Sequence, residues 1–102
     1  MHRLVYEYEV DPARVDQFEQ VYRADGAWAG FFRGGAGYLG TELLRDPTRP
    51  GRYLVVDHWA SADAATRFLA GHAEEYERRS RDTSRLYLVE ARLGAFDVVA
   101  PA

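Results

Sequence analysis

The sequence predicts an α+β domain of the ferredoxin-like class: a four-stranded antiparallel sheet with two helices on one face, in the order βαββαβ. Three observations carry that prediction. Residues 2–10 and 52–59 have the alternating or continuous apolar character of strands. Residues 12–32 and 61–76 repeat apolar side chains every three or four positions, as helices do. Turn formers cluster at 46–51, where two strands must meet in a hairpin connection. The 102 residues fit one domain, 1–102.

In the first strand, Leu4, Tyr6, Tyr8 and Val10 share one face, and Arg3, Val5, Glu7 and Glu9 the other. Asp11-Pro12 reads as an N-cap followed by a proline whose missing N–H costs nothing in the first turn. The helix then presents Val15, Phe18, Val21 and Tyr22 on one side. Asp25-Gly26 interrupts it, Ala27 to Phe32 add a turn or two, and Gly34-Gly35-Ala36-Gly37 closes the segment. The second strand is 38–45 and the third 52–59, whose near-continuous apolar middle predicts a central place in the sheet. Ser61 caps the second helix, with Asp63 in its first turn. Ala65, Phe68, Leu69, His72 and Tyr76 form its apolar face, and the polar stretch 77–82 ends it. The last strand is read at 86–93, stopped by Gly94. The third strand is apolar on both faces, Tyr53 and Val55 against Leu54 and Val56. Helices cover only one face, so a homodimer packed sheet on sheet is expected.

Composition narrows the chemistry. All 13 basic residues are arginine, and the chain has no lysine, isoleucine, asparagine or cysteine. A GC-rich gene accounts for the bias. Schiff-base lysine chemistry, thiolate sites, disulfides and asparagine-amide roles are excluded. The net charge of −3 gives no pull toward nucleic acid. Arg78, Arg79 and Arg81 are offset by Glu74, Glu75, Glu77 and Asp82, which reads as a solvated helix end. No apolar run has membrane-spanning length. Met1-His2-Arg3-Leu4 enters the first strand with no apolar leader, so a cytoplasmic protein is expected. His2, His58 and His72 lack zinc-ligand spacing, and no metal is expected. The 34–37 glycines lack the Lys-Ser/Thr of a phosphate loop, and Ser80 and Ser84 lack a nucleophile elbow.

The glycine-rich turn followed by Tyr38-Leu39-Gly40-Thr41-Glu42-Leu43-Leu44-Arg45, then Pro50-Gly51-Arg52-Tyr53 and Asp57-His58-Trp59, resembles the antibiotic biosynthesis monooxygenase (ABM) domain family of the dimeric α/β-barrel superfamily. The helix carrying Phe68, His72 and Tyr76 continues the likeness, which covers essentially the whole chain. The resemblance implies a homodimer with a cavity in each subunit between sheet and helices. It also implies oxidation of polycyclic phenols to quinones, with dioxygen as co-substrate and no cofactor. Other relatives open haem, isomerise, cyclise or have no known activity, and fold alone does not choose between these reactions. An asparagine serves the quinone-forming and haem-degrading relatives; here Val55 stands one helical-turn spacing before Trp59. Haem degradation is demoted accordingly.

The expected site follows from the aromatic content, 14 rings in 102 residues, which suits an apolar pocket with a few polar points. His72 is the candidate base, which needs a working-range pKa and a proton within reach. Trp59, sharing its strand face with Asp57, is a candidate cavity wall, and Tyr76 completes the expected catalytic group. Phe68, Tyr22, Trp28, Phe32, Tyr6, Tyr8 and Val55 are the expected substrate contacts. Trp59 reads equally as a core residue, and a helical stripe such as Tyr22, Trp28, Phe31 and Phe32 is usually core. The expected function is a small cofactor-independent monooxygenase acting on an aromatic, polyketide-like phenol. A non-oxidative isomerase or cyclase and a non-catalytic small-molecule-binding dimer are the alternatives.

Overall fold

The computed structural model describes residues 1–101. Strand β1 (His2–Glu9) leads through one turn of 3₁₀ helix (Pro12–Arg14) into α1 (Val15–Tyr22) and α2 (Ala27–Phe32). Strands β2 (Tyr38–Arg45) and β3 (Arg52–Trp59) follow, then α3 (Ala62–Gly71), α4 (Ala73–Thr83), a second 3₁₀ turn (Ser84–Leu86) and β4 (Val89–Asp97). The sheet order is β2-β3-β1-β4, with every neighbouring pair antiparallel. This is the predicted ferredoxin-like plan, and β3 is central as its composition requires.

The alternation of β1 and β3 places Leu4, Tyr8, Tyr53, Val55, Asp57 and Trp59 on the helix-covered face, all buried. Phe18 is the centre of the core; its ring stacks on Tyr22 at 4.3 Å and meets Tyr53 at 5.0 Å and Tyr8 at 5.3 Å. Asp11 caps the first turn by accepting from the Ala13 N–H at 2.9 Å. Ser61 caps α3 by accepting from the Ala64 N–H at 3.1 Å, as its position predicts.

Two elements differ from the sequence reading. The second helix is two helices, broken at His72 (φ −129°, ψ 28°). In an unbroken helix the Phe68 carbonyl would take the His72 backbone N–H; here His72 Nδ1 bonds to it at 2.9 Å. Gly71, a weak helix former, ends α3 just before the break. The polar stretch 77–82 then continues the helix to Thr83, carried by pairs such as Arg79 with Glu75, four residues apart at 3.0 Å. The last strand also starts and ends later than 86–93. Leu86 is buried in the second 3₁₀ turn. Gly94 does not stop the strand: its φ of +153° accommodates a register shift opposite Val5 and Tyr6, and pairing continues to Asp97.

Candidate active site

A cavity of about 40 Å³ lies between the sheet and the helices. Its sheet wall comprises Leu4, Tyr6 and Tyr8 from β1, Val55, Asp57 and Trp59 from β3, and Glu90 from β4. Tyr22 and Trp28 close one side with Phe32; Leu69, Tyr76, Ser80, Thr83 and Tyr87 close the other. The structure thus brings together Tyr6, Tyr8, Tyr22, Trp28, Phe32, Val55, Trp59 and Tyr76 of the expected set. Val55 is in the lining as an aliphatic side chain and offers no amide.

Phe68 stands behind this lining, at 5.6 Å from the Trp59 ring and 5.8 Å from Phe32. Gly35 makes that packing possible. A Cβ there would lie 2.5 Å from the Phe68 ring and 3.1 Å from Trp59, so only glycine lets the turn close over both rings.

His72 does not meet the expectation that it serves the cavity as its base. It is exposed at the α3–α4 junction, outside the lining, with its ring stacked flat on Phe68 at 4.2 Å. The reason is the helix break, which turns its Nδ1 back to the Phe68 carbonyl. His2 pairs with Asp97 at 2.8 Å, and His58 pairs with Glu42 at 2.7 Å on the opposite sheet face. Among the described residues, therefore, no histidine borders the cavity.

The buried carboxyl that borders it is Asp57, which is 5 % exposed; the Glu90 carboxyl also borders it but is exposed. In the sheet register Thr41, Asp57 and Leu4 form one row, so two neighbours enclose the carboxyl. Thr41 Oγ1 donates to Asp57 Oδ1 at 2.8 Å, and with that proton committed it accepts from the Tyr38 hydroxyl at 2.5 Å. Desolvation raises the Asp57 pKa to about 6, opposed in part by the Thr41 bond. Oδ2 makes no hydrogen bond to the described residues. The carboxyl is consequently held at one oxygen and free at the other, titrating near neutrality, which suits general acid–base work. The sequence carried a signal for it: a charged residue on the buried face of a central strand.

The other polar groups are mostly neutral phenols. Burial pushes the Tyr6 pKa well above its ordinary value, with Tyr76 and Asp57 as electrostatic neighbours. The Tyr8 phenol is likewise held protonated by burial, and donates to Glu90 Oε2 at 2.6 Å. Trp28 Nε1 is buried with no hydrogen-bond partner among the described residues. The pattern is a largely aromatic enclosure around one buried carboxyl.

A family model described as antibiotic biosynthesis monooxygenase matches residues 1–78. The chain belongs to this family. No curated protein matches it. Among solved structures, a point mutant of SnoaB, a cofactor-independent oxygenase from Streptomyces nogalater, is 24 % identical with a TM-score of 0.76. That alignment covers 98 % of this chain and 94 % of SnoaB. PA3566 from Pseudomonas aeruginosa is 20 % identical, with a TM-score of 0.70 and coverage of 97 % and 94 %. A point mutant of MhuD, solved with two manganese protoporphyrin IX molecules per active site, is 24 % identical with a TM-score of 0.72, covering 100 % of this chain and 98 % of MhuD. At these identities the structural likeness establishes the antibiotic biosynthesis monooxygenase fold. The lining offers a porphyrin no imidazole ligand: no histidine among the described residues borders the cavity.

Proposed function

We propose that this protein is a cofactor-independent monooxygenase that oxidises a polyketide-like phenol, with dioxygen as co-substrate and Asp57 as the base. The observation that carries the reading is the Asp57 carboxyl itself: buried in an aromatic cavity, held by Thr41 at one oxygen, and unpaired at the other. Family membership over residues 1–78 supports oxygenase chemistry at the level of the family.

An anthrone-type substrate illustrates the balance of the reaction. The carboxylate accepts a proton from the phenol or its benzylic CH₂, leaving an electron-rich anion. One electron passes from this anion to dioxygen, the two radicals combine with formation of a C–O bond, and the resulting peroxide anion takes back the Asp57 proton to become a hydroperoxide. A base then removes the remaining C–H proton. The O–O bond breaks, hydroxide departs as water with a proton, and a ketone remains. The substrate supplies every electron, so no cofactor is needed. Trp59, Phe32 and Trp28 orient the rings, and Tyr6 and Tyr76 offer protons to oxygens that gain charge.

A polycyclic substrate exceeds the enclosed volume, so binding requires the wall to yield. Helix α4 is the wall that can move, because it contributes Tyr76, Ser80 and Thr83 to the lining but has no fully buried side chain. The bare sheet face, where Val5, Leu54 and Val56 lie with the 53 % exposed Phe96, is the surface for a second copy of the chain.

The deciding experiment mixes the purified protein with anthrone under air and under argon. Quinone formation with oxygen uptake, present in air and absent in argon, is the expected result. Turnover independent of oxygen would replace this reading with the isomerase or cyclase, which needs the same base. A Soret shift on haem titration would restore the haem branch.

A further inference from the structure

A fully enclosed donor without a partner belongs to a residue of the cavity wall. Trp28 is 8 % exposed, and its Nε1 is the one side-chain N or O atom closed off completely from solvent that has no hydrogen-bond partner among the described residues. Folded proteins rarely leave such donors orphaned. Packing holds the indole in place: its ring contacts Phe31 at 5.9 Å, Phe32 at 5.6 Å and Tyr76 at 5.4 Å. The Tyr22 hydroxyl is the neighbouring polar group, near enough for the indole N–H to lower its pKa as a donor does, yet the pair falls outside full hydrogen-bond geometry and Nε1 is left without a formed bond. The indole N–H can only donate, so whatever satisfies it must be an acceptor.

Asp57 stands on the sheet wall and Trp28 on the helix wall of the same cavity. One offers an acceptor when ionised and the other offers a fixed donor. A molecule that satisfies both is polar at two points: an acidic O–H or C–H toward the sheet, and an oxygen with free lone pairs toward the helices.

We propose that Trp28 Nε1 donates a hydrogen bond to a carbonyl oxygen of the bound ligand, making Trp28 a specificity-determining residue that selects aromatic ketones over the corresponding hydrocarbons. The inference rests on the cavity being the ligand site, and is independent of oxygen chemistry. A site built around a hydrogen bond discriminates against a ligand lacking the matching group, because the protein atom is then left unpaired. A hydrocarbon fills the aromatic walls equally well yet leaves Nε1 as it is now.

The probes are 1-tetralone and tetralin, two-ring molecules that differ by the carbonyl. The chain has two tryptophans, so a ¹⁵N-labelled sample gives two indole N–H signals, assigned with W28F. Tetralone is expected to move the Trp28 signal downfield, and tetralin to leave it without a downfield shift. W28F, which keeps an aromatic ring, is expected to weaken tetralone binding about tenfold more than it weakens tetralin binding, the difference being the loss of one hydrogen bond. Equal shifts from both ligands, or equal loss of affinity for both, would overturn the role of Trp28 while leaving the cavity reading intact. Failure of both probes to bind would overturn it together with that reading. The wild-type signals serve as the test even where W28F does not fold.

Discussion

The cavity has two walls of opposite character. On the sheet side, β3 buries every inward residue, with Trp59 only 1 % exposed, and its one carboxyl is tied to Thr41 and through it to Tyr38. On the helix side, α4 buries none of its eleven residues completely. It is stabilised largely along its own surface, by Arg79 with Glu75 and by the Thr83 hydroxyl, which donates to the Arg79 carbonyl at 2.8 Å. In the proposed reaction the sheet wall fixes the geometry of the chemistry, and α4 is the wall that yields to admit the substrate. Rigidity and compliance are assigned to different parts of a very small domain.

Substitutions can separate the two walls. Phe18→Ala opens a void where Phe18, Tyr22, Tyr53 and Tyr8 meet, and should cost about 3–5 kcal/mol in urea unfolding. A loss near zero would mean that the sheet side is as loose as α4. Asp57→Asn should lower kcat/KM at least about a hundredfold while still unfolding cooperatively, since removal of a general base typically costs that much. In the wild type, kcat/KM should rise with pH through about 6 and then level as Asp57 ionises.

The same variant has an opposite effect on stability. The Asp57 pKa is raised to about 6 from 3.8, so the folded state holds its proton more tightly than the unfolded chain. Stability therefore falls as pH climbs between those values, and the deficit persists above them. Asp57→Asn should be more stable than the parent by about 2–3 kcal/mol at pH 8, with the gap closing below about pH 4. A constant gap across pH would show that the carboxyl is not titrating in that window.

Hydrogen exchange compares the walls directly. Amides of α4 should exchange at least about tenfold faster than those of β1 and β3, through openings that leave the sheet intact. Equal protection would make the domain one cooperative unit, and access would then need a different route. The smallest effect expected is that of His72→Ala, within about 1 kcal/mol in stability and within about twofold in turnover, because its ring lies outside the cavity and touches Phe68 from the solvent side.

These contrasts also explain which features could be read from sequence. The alternation in β1 and the apolar run of β3 specify the sheet wall, because period-2 burial leaves a direct mark on residue order. The α3–α4 break left no such mark. Phe68, His72 and Tyr76 keep perfect helical spacing across it, and the break is expressed in the His72 backbone angles and the bond from its ring to the Phe68 carbonyl, neither of which spacing can encode. The late register of β4 was hidden for a related reason: Gly94 has the identity of a terminator but sits within the strand at a bulge. Eight of the expected site residues line the cavity because aromatic residues on inward faces converge there. Asp57 was visible on Trp59's strand face, but its significance depended on knowing that this face is buried and that Thr41 lies beside it across the sheet.

Both tryptophans of the chain, Trp28 and Trp59, border the same cavity. Practically all of the protein's indole fluorescence therefore originates within contact distance of whatever occupies the site. A quinone is an efficient electron acceptor from an excited indole, so product accumulating there would darken the molecule as a whole. The intensity at the emission maximum is then a direct gauge of occupancy, with no background from indoles elsewhere and no label to attach.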